Sequence, residues 1–127
     1  MIFTNSQRKK SENKIQREGL DCALKLGVEL TRTQAGMVRV RGGGFMHLAC
    51  KGWGDTTGYN KNGQIVMIEF KDVSAFESKN HGASKEQLER LNDVKSKGGI
   101  CGIACCDQHV IDIINGVHIG LTKQKLN

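Results

Sequence analysis

The stretch "QIVMIEFK", Gln64 to Lys71, constrains the fold more than any other segment of the 127-residue chain. Ile65 to Phe70 are apolar apart from Glu69, and a short run rich in β-branched and aromatic residues reads as a strand covered on both faces. Alternate strand side chains share a face, so Glu69 and Lys71 point one way while Ile68 and Phe70 point the other. The commonest fate of such an acid and base is an exposed ion pair worth under about 1 kcal/mol. A strand this apolar is a poor candidate for a solvated face, so the pair demands another explanation.

The segment before it reads as the other arm of a hairpin. In "GWGDTTGYNKNGQIVMIEFK", Asn62 and Gly63 supply the left-handed backbone that a tight turn requires. With Lys61 to Gly63 as the loop, Tyr59 faces Ile65 and Asp55 faces Glu69; a slip of one residue would turn Asp55 to the opposite face. Upstream, "SENKIQREGLDCALKLG" carries Ile15, Cys22, Ala23 and Leu26 at helical intervals, with Ser11 as N-cap and Gly27 as the stop. "MVRVR" alternates as a half-buried strand with Arg39 and Arg41 outward, and "FMHLAC" follows as a short strand. Downstream, "DVSAFESKNHGA" reads as a polar loop. "SKEQLERLNDVKSKGG" is a second helix with Leu88, Leu91 and Val94 on one stripe, and "ICGIACC" is a covered strand. The order αβββαβ predicts an α/β fold, a mixed sheet flanked by helices. Residues 1–10 are polar and expected to fray; 1–127 form one domain.

Nineteen Lys and Arg against thirteen Asp and Glu give a net charge of +6, which favours a polyanionic partner. No apolar run approaches the roughly 20 residues of a membrane helix, and the N-terminus lacks an apolar signal core, so the expected setting is the cytoplasm without membrane attachment. The five cysteines lie mostly in apolar runs, as reduced packed thiols do. Zinc is the sharper alternative, but no CxxC pair repeats and no histidine follows at ligand spacing. His47, His81, His109 and His118 are scattered, and no nucleophile setting, P-loop or dinucleotide fingerprint is present.

Several of these residues together resemble a known family. "GWGD", then "IEFK" fourteen residues on, then Gln87 in the following helix and Glu12 at the start of the first, resemble the VRR-NUC family of the PD-(D/E)XK nuclease superfamily, whose small stand-alone members occur in bacteriophages. The similarity runs from about Glu12 to Asp107. It departs at Gly54, where the family usually has proline, a residue that shapes the bend rather than doing chemistry. The resemblance implies a restriction-endonuclease-like core, a metal-dependent DNA endonuclease, and a homodimer acting on Holliday junctions or other branched DNA. It also implies that the Phe70 carbonyl joins the metal ligands and that Gln87 supports the site.

Phosphodiester hydrolysis gives an independent reason for the same set. It needs an activated water, neutralisation of charge on the phosphoryl oxygens and help for the leaving oxygen; Mg²⁺, with Mn²⁺ able to substitute, offers all three from hard oxygen ligands. Asp55 and Glu69 would anchor the ion, and Glu12 would hold a second ion or a ligating water. Lys71 cannot bind a cation, and its ammonium suits orientation of water and stabilisation of an anionic transition state. Arg32, Arg39, Arg41 and Lys51 are candidate contacts to the nucleic-acid backbone. Each residue also has a plainer reading. Asp55 could be a turn residue, and Glu12 a first-turn acid, with Glu18 a weaker substitute for it at the site. Gln87 could be the N3 member of a capping box begun by Ser84, Trp53 a wall, and the basic residues a solvated face. The competing functions are a basic nucleic-acid-binding module that cuts nothing, and a nicking or restriction-type nuclease. For a dimer, the apolar segment "HVIDIINGVHIGL" is the candidate surface.

Overall fold

A computed structural model describes residues 2–33 and 52–121, and the backbone of 37–39 and 45–47. The start of the chain is ordered by its own caps and by one aromatic anchor. Helix α1 (Asn5–Arg8) opens with a capping box in which the Thr4 hydroxyl accepts from the Gln7 amide at 3.1 Å and the Gln7 side chain accepts from the Thr4 amide at 2.8 Å. Phe3 is buried against Val73 and Cys105 with Phe76 alongside, and Arg8 pairs with Glu77. Within residues 1–10, expected to fray, Phe3 thus has a tertiary anchor: the apolar pocket that holds it is built by residues seventy and more positions away, which local composition does not reveal. Helix α2 (Glu12–Lys25) begins where predicted, with the Ser11 hydroxyl accepting from the Lys14 amide at 3.2 Å, and Gly27 turns the chain away with φ +82°.

The main sheet is mixed and four-stranded. Strand β1 (Glu29–Arg32) lies at one edge, a four-residue element the sequence reading did not separate. Strands β2 (Met37–Arg39) and β3 (Phe45–His47) pair antiparallel as a separate two-stranded ribbon. Strand β4 (Thr56–Tyr59) pairs antiparallel with both β1 and β5 (Ile65–Phe70), in the expected register: Thr56 opposite Ile68 and Tyr59 opposite Ile65. Gly63, at φ +76°, makes the turn, and its amide donates to the Asn60 carbonyl at 3.0 Å. Val66 to Phe70 are all buried, as a central strand requires.

Helices and short turns complete both faces. The segment read as a polar loop contains helix α3 (Val73–Phe76), capped by Asp72, and a 3₁₀ turn at Lys79–Gly82. Helix α4 (Lys85–Ser96) then crosses over to β6 (Ile100–Ala104), which runs parallel to β5. Helix α5 (Asp107–Ile114) follows, and the chain returns along β6, the Ile103 amide donating to the Ile119 carbonyl at 2.9 Å. One face packs Ile15, Ala23, Val66, Ile68, Phe70, Val110 and Ile113; the other packs Met67, Leu91, Val94, Cys101 and Ile103. The apolar segment 109–121 packs in part on the interior: His109, Val110 and Ile113 are buried, and Ile119 and Leu121 pack on the core. Val117 is exposed. No helix among the described residues is long and apolar enough to cross a membrane.

Helix α2 reaches β5 because Gly19 lacks a side chain. A Cβ there would run into the Phe70 ring and sit 3.4 Å from Val110. Gly19→Ala should therefore lower unfolding stability by about 1–3 kcal/mol in denaturant titration despite alanine's better helix propensity; unchanged or raised stability would contradict this packing.

Candidate active site

The hairpin's last regular pair is Thr56 with Ile68, and beyond it side-chain carboxylates take over from the ladder. The Asp55 amide donates to Glu69 Oε2 at 2.9 Å, and the Phe70 amide donates to Asp55 Oδ2 at 2.9 Å. Each acid thus satisfies a backbone donor on the opposite strand, which fixes both carboxyl groups at the same end of β4 and β5. Asp55 is further held through its carbonyl, which accepts from the Thr33 amide at 2.7 Å beyond the end of β1.

Glu69 is only 1% exposed, so its second oxygen must also be satisfied. Oε1 accepts from Gln87 Nε2 at 2.6 Å and lies 3.5 Å from Lys71 Nζ. Gln87 also forms the capping box considered for it. Its Oε1 accepts from the Ser84 amide at 2.9 Å and its amide donates to the Ser84 hydroxyl at 3.1 Å, so the cap of α4 sets the rotamer that delivers Nε2 to Glu69. Lys71 follows β5 on the same face as Glu69, and its amide donates to the Ala104 carbonyl at 3.0 Å, locking the strand end to β6. Burial, and next the charge of Asp55, push Glu69 up to about 8, against the pull of Lys71 and the Asp55 amide.

Glu12 sits in the first turn of α2, and its carboxyl is raised by burial first and then by Asp55, with Lys71 opposing. It feels the charges of the site without joining Asp55 and Glu69 in a tight set: among the described residues the group of three ligand atoms within 4.8 Å of one another lies elsewhere. Glu18, its weaker substitute, is paired with Lys10 at 2.7 Å. Asp72 spends its side chain capping α3, accepting from the Ala75 amide at 2.8 Å.

The walls are also specified. The Trp53 indole N–H donates to Thr57 Oγ1 at 2.9 Å while the Arg90 guanidinium covers its ring at 5.0 Å from the centroid, so Trp53 is a wall. Gly54 lies against β5, where a Cβ would stand 2.6 Å from Met67 Cγ; this close approach is why glycine suits the position before Asp55. Arg32 is exposed at the end of β1, paired through its backbone with Thr56 beside Asp55. The Arg39 side chain, Arg41 and Lys51 lie outside the described residues.

The donor set suits a hard divalent cation. Burial and the neighbouring charge of Asp55 raise the proton affinity of Glu69, a cost that a cation beside it would reverse, and both side chains offer the oxygen donors that Mg²⁺ prefers. Sequence reasoning missed a second gathering of ligand-type atoms at Cys105, Cys106 and His109. The signal was present as cysteine and histidine three residues apart, on the first turn of a helix not recognised as one. Comparison with known proteins adds no identity: no protein-family model matches the chain, and no curated protein matches it.

A carboxyl whose folded pKa lies above its unfolded value favours the folded state while protonated, so that stability is complete below about pH 4.5 and is lost as pH rises through about 8. In metal-free buffer the protein should lose on the order of a few kcal/mol across that window. Glu69→Gln should flatten the slope, and millimolar Mg²⁺ should flatten it in the unsubstituted protein. A slope that survives Glu69→Gln would assign the titration to another group.

Proposed function

We propose that the protein is a metal-dependent endonuclease acting on DNA, with Asp55, Glu69 and Lys71 as its catalytic centre. The observation that carries this reading is the cross-strand convergence of two carboxylates around a buried glutamate, with one ammonium 3.5 Å from it. The fold supports it: a mixed sheet places the set at the ends of two adjacent strands, and the resemblance to VRR-NUC nucleases names the same positions.

When bound, a Mg²⁺ or Mn²⁺ ion would polarise the scissile phosphate and acidify water. Asp55 and Glu69 would hold it, the Phe70 carbonyl would join them as the resemblance implies, and Glu12 would hold a second ion or a ligating water. The chain's own groups do the rest. Gln87 fixes Glu69, so its carboxylate need not reorganise during the reaction. Lys71 donates to the attacking water, orienting it, and its charge stabilises the anionic phosphorane-like transition state. Arg32, with Arg39, Arg41 and Lys51, would hold backbone phosphates without reading bases. Selection by DNA structure is what the resemblance implies, and a homodimer would supply two sites related by a two-fold axis for symmetric branched DNA such as a Holliday junction. Free thiols at Cys22, Cys101, Cys105 and Cys106 accord with a reducing cytoplasm.

Labelled four-way junction, duplex and single-stranded DNA incubated with Mg²⁺, Mn²⁺ or EDTA test this. Metal-dependent cleavage, abolished by Glu69→Ala, is expected; binding without products under every condition would make the protein a nucleic-acid-binding module. Lys71→Ala should cut turnover on the order of 10²–10³-fold while leaving metal affinity nearly intact, and a parallel collapse of metal binding would overturn the role given to Lys71. DNA affinity should fall steeply with salt, with Arg32→Ala reducing the slope of log K against log salt by about 1; an unchanged slope would remove Arg32 from the phosphate path.

A further inference from the structure

The end of β6 holds a group of side chains for which the nuclease reading has no use. Cys105 and Cys106 follow Ala104, Cys106 occupies the N-cap position of α5 in extended backbone, and His109 lies on the first turn of that helix. Adjacent side chains on a straight strand would diverge. Here the chain bends into α5, and ligand atoms of Cys105, Cys106 and His109 all lie within 4.8 Å of one another. His109 Nδ1 accepts from the Cys105 amide at 3.1 Å and is 3.6 Å from Cys105 Sγ.

The imidazole is held from both sides. Phe3 meets it edge-on with ring centroids 6.1 Å apart, and Phe76 lies across it at 4.6 Å. Packing accounts for these ring contacts, but it does not require the nitrogen edge to meet two thiols. Cys105 is buried, Cys106 is half-buried, and Cys106 lines a cavity of about 210 Å³ shared with Gln7, Lys10, Glu18 and Asp107.

We propose that Cys105, Cys106 and His109 form a binding site for one thiophilic divalent ion of the Zn²⁺ class, with the fourth coordination position open to this cavity. Two thiolates and an imidazole select such an ion over Mg²⁺, whose preference is for oxygen. A tetrahedral ion with bonds of about 2.3 Å to sulfur and about 2.0 Å to nitrogen holds its ligand atoms roughly 3.5–4 Å apart, so the observed cluster needs only slight closure. Binding releases one proton from each thiol and exchanges the Cys105 amide bond to Nδ1 for a metal bond. The two thiolate charges cancel the charge of the ion, which suits a largely buried place. Phe3 and Phe76 set the ring orientation in advance. The ion would tie the end of β6 to α5, with Phe3 packed on its imidazole ligand, at a site separate from Asp55 and Glu69 in ligand chemistry and in residues.

The test uses the full chain, freed of metal by chelator under reducing conditions and titrated with Co²⁺, then with Zn²⁺. With millimolar Mg²⁺ present to occupy the carboxylate site, the sulfur-to-cobalt charge-transfer band and the intense visible bands of tetrahedral cobalt should saturate at one Co²⁺ per chain, and Zn²⁺ should displace it and raise the melting temperature. Cys106→Ser, at a half-buried position, should weaken binding more than about tenfold and diminish the charge-transfer band. Cys22→Ser should change neither. Absence of the sulfur-to-cobalt band in the unsubstituted protein overturns the proposal, as does its survival in Cys106→Ser. If Cys106→Ser does not fold, His109→Gln reads the same loss through the d–d bands, and their persistence has the same meaning.

Discussion

The exchange of hydrogen bonds between Asp55 and the Glu69–Phe70 segment is the constraint on which the rest of the site depends. An antiparallel ladder normally closes with backbone carbonyls, whereas here its last two donors, the amides of Asp55 and Phe70, go to carboxylates on the facing strand. The fold gains a well-satisfied strand end. The cost is a glutamate in the interior beside a second acid, where burial and that acid's charge oppose the ionisation of Glu69. Lys71 and Gln87 supply part of that compensation, and a divalent ion would supply the remainder.

The surrounding architecture serves this placement. Strand β5 is covered by α2 on one face and α4 on the other, so Glu69 is shielded from water except at the strand end. Helix α4 delivers Gln87 only because Ser84 caps it at a fixed rotation, so a local helix-stop signal and the support of a buried acid are the same interaction. Gly54 and Gly19 act in similar ways: one lets the loop carrying Asp55 lie against Met67, the other lets α2 close over Phe70.

Much of this was legible from local signals. The Asn62–Gly63 turn and the continuous apolar run of β5 set the hairpin register, and that register alone set Asp55 opposite Glu69. Ser11, Ser84 and the glycines after each helix marked their ends. What local pattern could not carry was tertiary. Phe3 is anchored by Val73, Phe76 and Cys105, so nothing near residue 3 announces order. Strand β1 has one buried residue, Leu30, too little for a periodic signal. Helix α5 was read as an apolar tail because its buried stripe is broken by Asp107, Gln108 and Asp112. The meeting of Cys105 and Cys106 with His109 follows from the bend between β6 and that helix, which only the assembled fold displays.

Calorimetric titration of the metal-free protein with Mg²⁺ and Mn²⁺ near neutral pH, repeated in buffers of different ionisation enthalpy, tests the central claim most directly. If Asp55 and Glu69 are the cation anchors, ion binding will be accompanied by proton release from Glu69, and both the binding heat and the released proton will vanish in Glu69→Gln and in Asp55→Asn. Binding of unchanged affinity and proton count in either variant would place the ion elsewhere and leave the two carboxylates with a purely structural role.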